Sequence, residues 1–241
     1  MKVYMGHAMD QGKYRKKNQD RVVCHCTGSR EACLAVACVC DGIGSLEMSE
    51  IAAEIVTKGI TRWFQGIRVY WPRIMGEEEL TKDLEATIRE LNELVYDYRK
   101  EQGTAIGCTL SALLLAGHSY FVFHVGDSKI FRGREALCQI TRDEVVMVEK
   151  DGIIKPHLAN YIGRSRELWI SRLAGTIREG ELFLLGSDGL FGRLEEGDTV
   201  GLRERARSGN RAQRACDTLL KKVRARGERD NVSCILVNVF C

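Results

Sequence analysis

The chain has 241 residues, 44% of them hydrophobic and 29% charged, which excludes a disordered or collagen-like polymer and fits a globular protein. Its formal net charge of +3 is too mild to select a nucleic-acid partner or to exclude one. No run of about 18 apolar residues is present to cross a bilayer, and the opening MKVYMGHAMDQGKYRKKNQD has no apolar stretch of signal-peptide length. The expectation is therefore a cytoplasmic protein without membrane contact, built as one domain over residues 1–241. Ten cysteines without a leader read as buried thiols in a reducing compartment. The pairs Cys24-x-Cys26 and Cys38-x-Cys40 have the wrong spacing for a zinc knuckle and would share one strand face.

In chain order, residues 20–27 and 32–40 predict two strands joined by a turn at Gly28-Ser29-Arg30. Ile51, Ile55, Ile60 and Trp63 fall near helical spacing, which predicts a helix over 45–65 with Ser45 as its N-cap. A second helix is expected over 77–101, with Leu80, Leu84, Ile88, Leu91, Leu94 and Val95 on one face, and Pro72 and Gly76 break the two apart. Short apolar runs follow at 104–116, 119–124, 129–132 and 136–140. With no helix between them, they are expected to be antiparallel neighbours. Residues 142–180 read as polar and irregular, with a short helix near 157–162. A strand at 182–185, a basic helix at 209–225 and a last strand at 232–240 complete the chain. Blocks of helices and antiparallel runs predict an α+β protein with sheets packed on each other and covered by helices. The arginines and lysines between 203 and 226 lack interleaved aromatics, so they read as a solvated face or a docking surface for acidic partners rather than a nucleic-acid site.

Four aspartates end or flank the apolar runs: Asp41 in ACVCDGIG, Asp127 in FVFHVGDSKI, Asp188 in LFLLGSDGLF and Asp230 in RDNVSCILV. One aspartate after a strand is ordinary turn chemistry. Four at strand ends can converge on a hard divalent cation such as Mg²⁺ or Mn²⁺, which takes carboxylates and water in octahedral geometry.

RKKNQDR at 15–21, DGIG at 41–44, GCTLSALLL at 107–115, VGDSKIF at 125–131, LLGSDGLF at 184–191 and RDNVSCILV at 229–237 occur together and in this order. In that respect the chain resembles the metal-dependent serine/threonine protein phosphatases of type 2C, the compact bacterial members above all. The resemblance implies a four-layer α-β-β-α sandwich of two antiparallel sheets flanked by helices. It implies two Mg²⁺ or Mn²⁺ ions, with Asp41 and the Gly42 carbonyl on one, Asp41, Asp188 and Asp230 on the other, and Asp20 and Gln19 binding metal waters from outside. The family often carries Glu where Gln19 stands. Asp127 with Asp188 would form a third, weaker site, and Arg15 would clamp the phosphate. The implied reaction is hydrolysis of phosphoserine and phosphothreonine in proteins by direct attack of a metal-bridging hydroxide. Substrates would be targets of a serine/threonine kinase, and the enzyme a monomer. The family's occasional histidine acid has no counterpart, because Ile43 occupies its position, and His157 is the nearest lone histidine.

Two rival readings exist. A cysteine-phosphatase loop needs five residues between Cys and Arg, which only Cys24 and Arg30 satisfy, and Cys24 falls inside a strand pattern. A catalytically weak or inactive phosphatase-fold module that binds phosphoproteins would have lost Asp41, Asp188 or Asp230, and all three are present.

Overall fold

The computed structural model describes residues 1–28, 33–150 and 152–240, and the predicted turn residues Ser29 and Arg30 lie outside them. The elements are β1 (Lys2–Asp10), β2 (Arg21–Thr27), β3 (Leu34–Cys40), α1 (Ser49–Ile67), α2 (Glu77–Gln102), β4 (Leu110–Ala116), β5 (Ser119–Val125), β6 (Lys129–Gly133) and β7 (Leu137–Gln139). They continue with β8 (Val145–Lys150), β9 (Ile153–Leu158), β10 (Ser171–Thr176), β11 (Leu182–Gly186), α3 (Asp188–Phe191), α4 (Glu196–Thr199), α5 (Leu202–Arg205), α6 (Gly209–Ala225) and β12 (Val232–Phe240). The strands form two five-stranded antiparallel sheets, β1-β12-β11-β6-β7 and β10-β5-β4-β3-β2, with β8-β9 as a separate hairpin.

Alternation along β3 shows how the layers arise. Ala35, Ala37 and Val39 enter the core between the sheets, where they join Phe183, Leu185, Ile235 and Val237. Leu34, Val36, Cys38 and Cys40 point the other way, toward Val56, Ile60, Leu84 and Ile88 of α1 and α2. Both faces of this strand are covered, so its run is continuously apolar. On the opposite sheet α6 buries Ala212, Ala215, Cys216, Leu219, Leu220 and Val223, the spacing of one helical stripe. Gly6 in β1 lets that helix approach, since a Cβ there would lie 2.3 Å from the Ala212 carbonyl carbon. The result is the expected α-β-β-α layering.

Several expectations need correction. α1 starts at Ser49 rather than 45, after Met48 in the left-handed region, so Ser45 is not its cap. Leu94 is 58% exposed and lies off the buried face of α2. The run at 104–116 is a strand only from Leu110. β5 and β6 are not neighbours: the chain crosses between sheets through Gly126-Asp127-Ser128, and Gly126 has φ +105°. Residues 157–162 are not helical, and the segment 142–180 instead contributes the β8-β9 hairpin and edge strand β10. β1, α3, α4 and α5 had no predicted counterpart. His157 is exposed on β9.

Charge pairs lock the covering helices. Asp198, 3% exposed, accepts from Arg226 and from Lys222 Nζ at 3.0 Å, and it caps the Glu195 N–H at 3.0 Å. The Arg226 guanidinium holds the Asp198 carboxyl well below the usual carboxylate range. A depressed folded value contributes stability above the unfolded value of about 4, lost as pH falls toward the folded one. Asp198→Ala should therefore lose about 2 kcal/mol at pH 7, between an exposed and a fully buried pair. In urea melts the gap to the parent should narrow at acid pH, and a gap independent of pH would contradict the pairing.

Candidate metal centre

Strand register brings the aspartates to one end of the sandwich. Asp20 precedes β2 and Asp41 follows β3, and Arg21 pairs with Cys40 beside them. Asp188 follows β11 and Asp230 precedes β12, where Gly186 pairs with both Cys234 and Lys129. Asp127 lies on the crossover into that same end of β6.

Their environment is charged and ranges from the buried Asp20 to the exposed Asp188. Asp20 is fully buried. Its Oδ2 accepts from Ser233 Oγ at 2.6 Å, while Oδ1 has no hydrogen-bond partner. Burial pushes the Asp20 carboxyl up to about 6, against the hydrogen bonds from Ser233 and Ser187. Asp41 lies within hydrogen-bonding reach of both Asp20 and Asp188. Loss of water around it, then the charges of Asp20, Asp188 and Asp127, push its carboxyl well above the carboxylate range. Asp127 rises to about 6 through burial and then Asp188 and Asp143. Asp188 is raised by surrounding protein and by Asp230, although its side chain opens to solvent. Arg15 Nη2 donates to Asp230 Oδ2 at 2.5 Å and raises its own pKa by that bond.

Like charges crowded together, with a buried oxygen left unpartnered, fit the binding of a divalent cation. The donors are all oxygens, which suits Mg²⁺ or Mn²⁺ rather than a thiolate-seeking metal. Among the described residues no three His, Cys, Asp or Glu side chains already form one ion's cage. A shared two-ion site leaves most positions to water and backbone oxygen, so such a cage is not required.

The backbone around the carboxylates is tightly fixed. The Asp41 N–H donates to Thr109 Oγ1 at 3.0 Å, the Thr109 N–H returns to the Asp41 carbonyl at 2.8 Å, and Thr109 Oγ1 meets Ser128 Oγ at 2.6 Å. Gly42 is a glycine through close approach rather than positive φ, because a Cβ would lie 2.7 Å from Gln19 Cβ. At Gly189 a Cβ would lie 2.1 Å from the Asn231 carbonyl oxygen. Asn231 accepts from the Gln19 N–H at 2.9 Å and donates to the Gln11 and Lys17 carbonyls at 2.9 and 3.1 Å. It thereby pins the 11–19 segment that carries Arg15. Sequence reasoning missed Asn231, Thr109, Ser128, Ser187 and Ser233. Their signal was small polar residues inside otherwise apolar motifs. Gln19 turns its amide toward the Leu46 carbonyl at 3.4 Å.

Beside the carboxylates a cavity of about 560 Å³ is lined by Tyr14, Arg15, Lys16, Lys17, Gln19 and Gly44, among others. Neither this cavity nor a more apolar one of about 440 Å³ against Phe131 and Phe191 has an aspartate in its lining. The environment of Cys24 speaks against the cysteine reading. Cys24 lies within β2 with its thiol pushed up to about 12 by burial, and Arg30 is outside the described residues.

Residues 15–224 match the family described as Protein phosphatase 2C. The chain is 26% identical over 249 aligned residues to the serine/threonine protein phosphatase PstP of Mycobacterium tuberculosis, covering 95% of this chain and 44% of that protein. It thus spans about half the length of the curated relatives it matches. The serine/threonine phosphatase Stp1 of Staphylococcus aureus superposes with a TM-score of 0.81 at 19% identity, over 100% of this chain and 96% of that one. The catalytic domain of PstP in complex with two manganese ions superposes with a TM-score of 0.76 at 21% identity, over 99% of each chain. These structural likenesses establish the fold.

Proposed function

Because the chain belongs to the protein phosphatase 2C family, we propose that residues 1–241 act as one catalytic domain that hydrolyses phosphoserine and phosphothreonine in proteins. The observation that carries this reading is the crowded, mutually repelling set of Asp20, Asp41 and Asp188, with the buried Asp20 Oδ1 atom left unpartnered. The two manganese ions bound by the PstP catalytic domain support the same assignment here. When bound, a pair of Mg²⁺ or Mn²⁺ ions supplies an acidified water and neutralises phosphate charge.

The protein's own residues then have separable tasks. Asp41, held by Thr109 through two backbone-centred hydrogen bonds, would be shared by two ions, with the Gly42 carbonyl contributing to one of them. Asp188, just after β11, and Asp230, just before β12, would hold one ion. Asp20, with Gln19, acts from outside, and Asp127 with Asp188 would hold a third ion. Arg15 spends one N–H group on Asp230 and keeps others for two phosphate oxygens. The acidic centre alone would repel a phosphate dianion, so this guanidinium orients the substrate. No helix among the described residues is long and apolar enough to cross a membrane. We read the enzyme as a cytoplasmic monomer that opposes a serine/threonine kinase. The presence of all the aspartates speaks against a binding-only module.

Phosphate release from a phosphothreonine peptide tests the reading. Release should require Mn²⁺ or Mg²⁺ and stop with EDTA. A folded, metal-loaded protein without activity would overturn it. Arg15→Ala should raise KM for the phosphopeptide by about tenfold or more, the worth of a charge-assisted contact, with a smaller change in kcat. An unchanged KM would remove the clamp.

A further inference from the structure

The basic stretch that the catalytic centre leaves unused gathers into a cleft. Arg205, Arg211 and Arg214, with Glu204, Ala215 and Thr218, line a cavity of about 470 Å³ between α5 and the first turns of α6. Most arginines elsewhere are engaged. Arg89, Arg132, Arg166, Arg224 and Arg226 all hold carboxylates. In the cleft the pattern differs. Arg205 is fixed by the carbonyls of Gly201 and Val200, at 3.2 and 2.5 Å, so its charge is positioned but not neutralised. Among the described residues no carboxylate, carbonyl or ring takes the guanidinium of Arg211 or Arg214, and both are exposed. The lone acid, Glu204, stands 3.8 Å from Arg203.

The cleft is far from the aspartates. Arg224, near the C-terminal end of α6, donates to the Asp230 carbonyl at 2.6 Å. A rise of about 1.5 Å per residue puts Arg211 about 20 Å back along the helix. At that end Asn238 of β12 donates to the Arg203 and Ala206 carbonyls at 2.8 and 3.1 Å. A ligand there leaves the phosphate site free.

We propose that this arginine cleft docks an acidic segment of the phosphoprotein substrate, at a distance from the phosphorylated residue. Charge complementarity selects the occupant. Two unpaired guanidiniums and one anchored guanidinium match carboxylates bidentately. A tethered second contact raises the effective concentration of substrate at the catalytic centre without altering its chemistry. A nucleic acid fits less well, because no aromatic lines the cleft for bases to stack on, and Glu204 sits on its rim. That the segment belongs to a substrate rests on the phosphatase reading, whereas the preference for acidic chains does not.

The test is fluorescence anisotropy with a fluorescein-labelled oligoglutamate peptide, and labelled oligothymidylate as comparator, on the full chain and on Arg211→Glu/Arg214→Glu. The peptide should bind the parent, more weakly as salt rises. The double variant should lose about tenfold or more in affinity, as exposed attractions become repulsions. Its p-nitrophenyl phosphate hydrolysis should be unchanged, which also reports that it folds. A phosphothreonine peptide with an oligoglutamate tail should show a lower KM than the tailless peptide, and the variant should abolish that advantage. Equal peptide affinity in parent and variant, no binding, or tighter binding of oligothymidylate would overturn the proposal. If no phosphopeptide is hydrolysed while oligoglutamate binding still depends on the arginines, the phosphatase reading fails and the arginine cleft for acidic chains stands.

Discussion

Asp188→Asn is expected to lower Mn²⁺-dependent turnover of a phosphothreonine peptide by about three orders of magnitude, with Asp41→Asn at least as severe. The amide keeps the shape of the carboxylate but removes one negative charge and one strong oxygen donor. Asp188 lies within hydrogen-bonding reach of Asp41 and adds to the charge on Asp41 and Asp127. Its loss should therefore weaken ion binding at more than one position. The fold should not suffer. A metal-free protein with one crowded like charge fewer is relieved of repulsion, so Asp188→Asn should melt at or above the parent temperature without metal. A destabilised variant would mean that lost activity reports unfolding. Near-normal turnover in a folded variant would remove Asp188 from the centre.

The second large effect is a pH-dependent stabilisation by metal. Asp20 and Asp127 each have a folded pKa of about 6, raised mainly by burial. The unfolded value is about 4. A raised folded value means that stability is fully present below about pH 4 and is lost as pH climbs through the folded value. For Asp20 alone the loss is on the order of 3 kcal/mol. The metal-free protein should thus become less stable between about pH 4 and pH 7. Mn²⁺ opposes the change, because binding needs the deprotonated carboxylates and supplies the missing charge. In differential scanning fluorimetry the Mn²⁺-induced rise in Tm should be large at pH 7.5 and small at pH 5. Equal shifts at both pH values, or none, would contradict a site built from these carboxylates.

What could be read from the chain and what could not divides along the range of the forces. The last strand and α6 were legible because their patterns are simple: Val232–Phe240 is a mostly apolar run, and Ala212 to Val223 repeats at helical spacing. Motif order picked out the aspartates that the structure brings to one end of the sandwich, since each flanks a strand whose apolar run is visible. β1 was not legible. Lys2–Asp10 has weak alternation and owes its extended form to pairing with β12 at the other end of the chain, Lys2 opposite Phe240 through Asp10 opposite Val232. The crossover at Gly126-Asp127-Ser128 was also hidden, because a tight glycine turn looks the same whether it closes a hairpin or changes sheets. The β8-β9 hairpin escaped because Val146, Met147, Ile153 and Ile154 are exposed, so no buried face imposed a pattern. Around the site, Asn231 and Thr109 act through contacts with distant segments that local spacing does not reveal.

The most direct measurement is anomalous diffraction at the manganese edge from crystals grown with Mn²⁺. The account predicts two peaks bridged by the Asp41 carboxylate, with Asp188 and Asp230 on one ion and the Gly42 carbonyl on the other. An empty centre at saturating Mn²⁺, or manganese bound away from Asp41, would contradict it.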